Sequence, residues 1–470
     1  RTCNVPRRLR TTTRRTARDR DRASSQTRAR GRRRRRVAAR AAAERSTRGR
    51  EENPTGSTTA LGTPPPCREE SDGTAMASTL YEIARLWITF IALACGGKLG
   101  ELVHAPLVGE IVVGLLLGPS GANFIPEPDG VVLLGNLGLC VLVMTGGLSI
   151  DVDALAHVGP VAIAIAVTGT LLPIALGCAF MTAAGYSPAV GVAAGTALSS
   201  TSIGMATNTM AAANALHTRI GSLVCVAAMI DDVLSLVILA VLGNVGGSSD
   251  DAGALTWAIG RPVMVSVAFV VVGAGAARVV PRVFAREWGW ATRAGETLTK
   301  MKRDDVVVAS MLTLTLGLVV ACGAAGSTYL LGAFVGGYAF AAAPNAKDAW
   351  AKYDLLSARL ASIFFLSVGM QIPLADLFDG AGAGLGIGYA VPAVLGKLAT
   401  GAFVRDVGDA AVVGWAMVGR GELGFVMARE ALDEGLFGDT PYVACVWALL
   451  IATLVSPVFM RRALERRKAA

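Results

Sequence analysis

Residues 219–243 read RIGSLVCVAAMIDDVLSLVILAVLG: an arginine opens the stretch, two adjacent aspartates sit in its middle, and every other residue is apolar or small. At 1.5 Å per residue a helix of this length crosses the roughly 30 Å hydrocarbon core of a bilayer. Each ionisable group at bilayer depth costs about 2.5–3.5 kcal/mol even on the lenient insertion scale, so Asp231 and Asp232 both need a reason to be there. The segment therefore predicts a transmembrane helix with a polar task at its centre.

The same apolar pattern recurs along the chain. Windows of about 19 residues mark spans near 79–96, 105–119, 131–149, 158–184, 188–208, 219–243, 257–280, 305–323, 327–343, 358–377, 384–404, 409–429 and 441–460. A length of 470 residues would otherwise suggest about three soluble domains. Composition excludes that reading: 53% of residues are hydrophobic, 17% are charged against about 25% in soluble domains, Gly numbers 55, and the mean hydropathy is +0.52. The expected fold is an all-α integral membrane protein with about 13 transmembrane helices, and the lipid bilayer is its first partner.

The net charge of +9 divides unevenly. Residues 1–75 carry 21 of the 44 Lys and Arg and 8 of the 35 Asp and Glu, which leaves 76–470 at −4. No nucleic-acid partner is therefore expected for the membrane part. Residues 1–75, with the run Arg32 to Arg36, lack the apolar surface that offsets chain entropy and are expected to be disordered. Arg-rich, Ser-rich and acid-poor sequence is the pattern of an organellar transit peptide. Translated upstream sequence ahead of Met76, part of a longer precursor, and a nucleic-acid-binding arm are the competing readings. The address stays open between plastid or mitochondrion and plasma membrane or endomembrane.

Alternate loops sort by charge. One set carries Lys98, Arg219, the cluster from Arg282 to Arg303, then Lys347, Lys352, Arg359 and Arg405, with Arg461 to Lys468 after the last span. The opposite set includes 120–130, 244–256 and 371–383, which hold acids and no Lys or Arg. By the positive-inside rule the C-terminus lies on the cytosolic-equivalent side, and an odd span count puts the N-terminus outside. Cys95, Cys140, Cys178, Cys225, Cys322 and Cys445 sit inside apolar stretches with no CxxC, and His104, His157 and His217 have no second ligand at useful spacing. Neither zinc nor any other cofactor is expected.

A faint internal repeat is present. Gly147-Leu148-Ser149-Ile150 with Leu155 matches Gly369-Met370-Gln371-Ile372 with Leu377, an offset of 222 residues that also pairs Gly114 with Gly336. The repeat and the hydropathy register together predict six spans, a linker span near 257–280, and six more running in the opposite sense, an inverted repeat. Gly114-x-x-x-Gly118 and Gly332-x-x-x-Gly336 allow close helix approach, within a subunit or across a dimer. Two spans look broken at corresponding points. One carries Leu198-Ser199-Ser200-Thr201-Ser202-Ile203-Gly204, whose hydroxyls can satisfy an unwound backbone; the other carries Gly419-Arg420-Gly421-Glu422-Leu423-Gly424. With the offset, Thr201 maps beside Glu422, and Arg420 and Glu422 form a polar pair at the second break.

Lys397 is the remaining charge at mid-span. Adjacent residues of a helix point about 100° apart. One aspartate can therefore meet a partner cation while the other faces an aqueous cavity, and Lys397 is the natural partner for one of them. A carboxylate left facing water can hold a proton or a metal cation, and that competition is the chemistry of exchange. The competing reading is a buried ion pair that only locks helices together.

Several stretches carry a family resemblance. Pro106-Leu107-Val108-Gly109-Glu110-Ile111-Val112-Val113-Gly114 through Gly118-Pro119-Ser120 resembles the early signature of monovalent cation:proton antiporters of the Kef/NapA branch. Leu331-Gly332-Ala333-Phe334, Phe364-Phe365-Leu366-Ser367-Val368-Gly369-Met370, Ile230-Asp231-Asp232-Val233 and the Gly-Arg-Gly-Glu stretch resemble further signatures, in family order across 79–460. The resemblance implies a thirteen-helix homodimer with two crossed broken helices. A dimerising scaffold would span about 79–149 and 305–377, with an ion-binding core at about 158–243 and 384–460. It implies that Asp232 binds Na⁺ or K⁺ and the proton, that Asp231, also counted among the ion ligands, pairs with Lys397, and that Ser200, Thr201 and Ser202 belong to the ion-binding set, with Thr201 and Ser202 lining the crossing. Movement of core against scaffold would expose Asp232 to each side in turn. Potassium-efflux members of the Kef type usually have one aspartate preceded by Gln or Asn, and often a cytosolic nucleotide-binding domain. The Asp-Asp pair here, with the end ten residues past the last span, favours the sodium/proton, NapA-like side, where the pair is associated with electrogenic exchange.

The expected function is a secondary antiporter exchanging protons for monovalent cations, Na⁺ before K⁺, with a K⁺/H⁺ antiporter as the alternative. A transport-inactive sensor or a passive pore is the reading from another class. Rings of repeated charge or carbonyl motifs that a pore would use are missing. No nucleophile–base pair or phosphate-binding loop stands at a span end, so an enzyme is not expected.

Overall fold

Pro106, Pro128 and Pro188 each stand in the first turn of a helix, where a missing N–H costs nothing and the fixed φ favours the start. In the computed structural model, residues 70–102, 105–150, 152–216, 218–245, 252–286, 303–343, 345–378 and 380–469 are described, and among them helices are the only regular elements. The first seven are α1 (Glu70–Leu102), α2 (Pro106–Leu117), α3 (Pro128–Ser149), α4 (Val152–Ala183), α5 (Pro188–Ala197), α6 (Ile203–Ala212) and α7 (Arg219–Val245). Then come α8 (Ala252–Arg286), α9 (Arg303–Ala325), α10 (Tyr329–Ala339), the short α11 (Ala346–Ala351), α12 (Asp354–Met370) and the single turn α13 (Leu374–Leu377). The last four are α14 (Gly380–Leu398), continued by a 3₁₀ turn over Ala399–Phe403, α15 (Val407–Val418), α16 (Glu422–Asp433) and α17 (Asp439–Ala469).

Every one of the thirteen apolar stretches holds a helix or a helix pair. Eight helices among the described residues are long and apolar enough to cross a membrane alone, and the pair α15–α16, bent by 42°, makes nine. The helices α2, α5 and α10 are shorter, at 12, 10 and 11 residues. Residues 70–75, which the expected boundary places in the disordered segment, are helical as part of α1. Residues 1–69, most of the segment expected to be disordered, lie outside the described residues, as do His104, His217 and the charges between 287 and 302.

Shifting the first half by the 222-residue offset reproduces the second. Pro106–Leu117 lands on 328–339, where α10 is found, and Arg219–Val245 lands on 441–467, inside α17. The contacts repeat as well. A Cβ on Gly114 of α2 would strike the backbone of Leu366 and Gly369 on α12, and one on Gly369 would strike Ile111 and Leu115. In the matching contact, Gly147 of α3 lies against Phe334 and Tyr338 of α10, and Gly337 lies against Met144 and Leu148. Backbones this close exclude any side chain between them.

Two groups of helices result within the compact unit from Gly73 to Ala470. Helices α2, α3, α9, α10 and α12 pack on one another, and α4 to α7 pack with α14 to α17. Helix α8 touches both, through α7 and α10.

Candidate ion-binding site

The two breaks meet. Between α5 and α6 the chain leaves helical geometry at 198–202, and between α15 and α16 it does so at 419–421. Broken helices leave unpaired N–H and C=O groups that lipid cannot satisfy, and here each break satisfies the other. Ser202 N–H donates to Gly419 O at 2.9 Å, and the Thr201 hydroxyl donates to Met417 O at 3.3 Å. Arg420, fully buried, donates from Nη1 to Ser200 O at 3.2 Å and from Nη2 to Ala393 O. The Ser202 hydroxyl accepts Met205 N–H and caps α6. Thr453 donates to Arg420 O at 3.3 Å from α17.

Next to the crossing stands the ion pair. Lys397 Nζ lies 2.8 and 2.9 Å from the two carboxylate oxygens of Asp231, and both side chains are fully buried. Thr170 on α4 donates to Asp231 Oδ1 at 2.7 Å. Gly169 of α4 lies beside the lysine: a Cβ there would sit 3.2 Å from the Thr400 methyl and 3.4 Å from Nζ. A buried charge is tolerable only when paired and hydrogen-bonded, and Thr170 of α4, Asp231 of α7 and Lys397 of α14 meet that condition.

Asp232 turns the other way. It is half-buried and lines a cavity of about 580 Å³ with Glu422, the first residue of α16. Glu422 and Arg420, two residues apart, thus meet different surroundings. Ile203 and Gly204 of α6 also line the cavity, together with Gly146 and Thr145 of α3 and Phe334 of α10, so both helix groups wall it. Its lining includes Ser149 at the end of α3, Leu216 just before α7, and Lys347. Ser200, Thr201 and Ser202 are buried in the crossing instead of in the cavity wall, and the Ser200 hydroxyl has no hydrogen-bond partner among the described residues.

Lys347, which stands out in the sequence only as a loop charge, reaches back from α11 to the carbonyls of Ser149 and Ile150 at 3.4 and 3.2 Å. Trp350, also on α11, donates to the Thr145 hydroxyl at 3.1 Å. The sequence signal for Thr170 is slight: the run Thr168-Gly169-Thr170 in an otherwise apolar span. Among the described residues no group of three or more His, Cys, Asp or Glu could hold a resident metal ion. The arrangement offers one carboxylate neutralised by a lysine and another, beside a glutamate, open to a cavity where a proton or a cation can reach it.

The family described as "Sodium/hydrogen exchanger, transmembrane" matches residues 86–466. The chain belongs to the sodium/hydrogen exchanger family. Among relatives within reach of this family, it is 25% identical over 383 residues to the Na(+)/H(+)-K(+) antiporter GerN of Bacillus cereus, a match covering 80% of this chain and 94% of that one. It is 26% identical over 403 residues to the high-affinity Na(+)/H(+) antiporter NhaS3 of Synechocystis sp., covering 79% and 85%. The solved structure of the sodium proton antiporter MjNhaP1 from Methanocaldococcus jannaschii superposes with a TM-score of 0.59 at 17% identity, over 81% of this chain and 96% of that one, and so shares the fold. The exchanger family membership and the apolar helices together make this a multi-pass membrane protein of cation/proton antiport.

Proposed function

We propose that the chain exchanges protons for monovalent cations, with Na⁺ preferred, and that both ions use Asp232. One observation carries the reading: Lys397 already neutralises Asp231, while Asp232 faces the cavity with Glu422 at its side. A carboxylate so placed binds a cation when deprotonated and releases it when protonated, which couples the two fluxes without a cofactor. Glu422 adds oxygen ligands, and the paired breaks hold the site rigid.

Alternating access follows from the cavity's walls. Helices α4–α7 and α14–α17 form the ion-binding core, α2, α3, α9, α10 and α12 form the scaffold, and α8 links them. Sliding of core past scaffold would carry Asp232 from one face to the other. The cavity wall includes Ser149, Leu216 and Lys347, at or beside the basic loops, so this conformation would open toward the cytosolic-equivalent side, where the C-terminus is also expected. Exposed Trp87, Ile88 and Ile91 on α1 offer an apolar face to lipid or to a second copy in a homodimer.

Preference for Na⁺ is supported by the Na(+)/H(+) names of the relatives. The printed name of GerN includes K⁺, which keeps a K⁺/H⁺ exchanger as the second reading. The test uses purified protein in liposomes with a trapped pH dye, adding Na⁺ and then K⁺, with Asp232→Asn in parallel. Na⁺-dependent dequenching that is lost in Asp232→Asn is expected. A response to K⁺ alone would move the chain to the second reading. No response from folded protein would overturn antiport and revive the sensor.

A further inference from the structure

The last helix carries its charge at one end. Helix α17 carries no charge from Thr440 to Met460, and its final turns then hold Arg461, Arg462, Arg466, Arg467 and Lys468 with one exposed acid, Glu465, so they are strongly basic. In a bilayer that order leaves the guanidinium groups at headgroup level. Arg462, Arg466 and Arg467 line a cleft of about 800 Å³ between the end of α17 and the start of α15, whose wall also includes Trp415 and Phe459. A second cleft of about 780 Å³ carries Arg219 and Arg405, and the two clefts share Asp406 and Asp409.

The charge balance selects the ligand. Asp406 caps α15 by accepting Asp409 N–H at 2.9 Å, and the Asp409 carboxylate pairs with Arg467. Both acids are thus engaged by the chain's own groups. Arg462 lies 5.3 Å from the centre of the Phe459 ring, which stacks on Trp415 at 4.6 Å. A cation over a ring is oriented but keeps its charge. Arg466, Arg405 and Arg219 are exposed and make no ion pair among the described residues. Beside them Phe403, Val407 and Val458 are exposed, Val407 by 84%. Cationic walls at the membrane boundary next to bare apolar side chains fit a ligand with an anionic head and hydrocarbon tails.

We propose that the cleft between α15 and α17 binds the phosphate of an anionic phospholipid, held by Arg462 and Arg466, with its acyl chains against the neighbouring apolar side chains. Arginine suits the role because its planar fork matches phosphate oxygens in pairs. The site lies on helices that also build the crossing: Ser456 of α17 donates to Trp415 O of α15 at 2.8 Å. Headgroup binding therefore braces these two helices against each other. The assignment needs only the membrane fold and not the choice of transported cation.

The full chain and its Arg462→Gln/Arg466→Gln variant, in mild detergent, are titrated with phosphatidylglycerol, with phosphatidylcholine of the same acyl chains, and with inorganic phosphate. Bound lipid is counted by native mass spectrometry and stability is followed by thermal unfolding. Phosphatidylglycerol is expected to raise the wild-type midpoint by a few degrees and phosphatidylcholine is not. The variant is expected to need roughly tenfold more phosphatidylglycerol for the same rise, as two charge-assisted contacts are gone. Both proteins carry the same residues 1–75, so binding to that Arg-rich segment cancels in the comparison. An equal rise with inorganic phosphate would overturn the lipid in favour of a free anion, and an undiminished rise in the variant would overturn the site. Arg466→Gln alone, at an exposed position with no ion-pair partner among the described residues, carries the same test if the double variant fails to fold.

Discussion

A lysine inside a bilayer survives only when its charge is matched, and Lys397 has both oxygens of Asp231 within 2.9 Å and no exposure. Removing one member leaves the other buried and unpaired. Lys397→Leu is expected to cost about 3–5 kcal/mol, read as a large fall in the thermal midpoint of the detergent-solubilised protein. Asp231→Asn/Lys397→Leu, which removes both charges, is expected to recover part of that loss; equal midpoints for the single and double variants would refute the account. The neighbouring carboxylate faces the cavity, so Asp232→Asn is expected to keep its midpoint while losing exchange. That two adjacent aspartates point apart is legible from helix geometry. Which of them meets Lys397 depends on how α7 is rotated against α4 and α14, and Thr170 on α4 enters only through that packing.

At the level of helices, glycine and the breaks carry the architecture. The hydroxyl run at 198–202 and the glycines flanking Arg420 announce where two helices cannot continue, because those residues can satisfy or relax an unwound backbone locally. That Arg420 supplies donors to Ser200 O and Ala393 O was not legible, since those acceptors lie 220 and 27 residues away. The close contacts make a sharper prediction. Gly337→Ala would push a methyl into Met144 O and the backbone of Leu148 and is expected to destabilise by about 1–3 kcal/mol. Gly317→Ala, in an exposed position of α9 with nothing near its Cβ, is expected to be neutral or to stabilise by about 0.5–1 kcal/mol. Comparing the two thermal midpoints checks the contact, and equal shifts would count against it.

For the molecule entire, the cavity walls come from both helix groups, and exchange by sliding requires those walls to move past each other. Gly146 of α3 and Gly204 of α6 both line the cavity, and a Cβ added at either meets nothing within 4 Å. In a background without native cysteines, Gly146→Cys/Gly204→Cys joined by a short bismaleimide is expected to stop exchange, while each single variant treated alike continues. Exchange that persists in the joined protein would mean that the groups do not slide. Lys347 shows why this wall was not foreseen: in the chain it is one of several loop charges, and only the fold of α11 brings its ammonium to the end of α3.

Membrane residence, the run of apolar stretches, the 222-residue repeat and the two breaks follow from local composition and periodicity. All but the repeat rest on the cost of exposing polar backbone or charge to hydrocarbon, which a single stretch of chain already reports, and the repeat is read by laying two stretches of the chain side by side. The ion pair behind the cavity, the joining of the breaks by Ser202 and Arg420, the shared cavity of Asp232 and Glu422, and the basic cleft beside α17 are of another kind. Each brings together groups far apart in the chain, and only the packing of helices against one another sets which side chains meet.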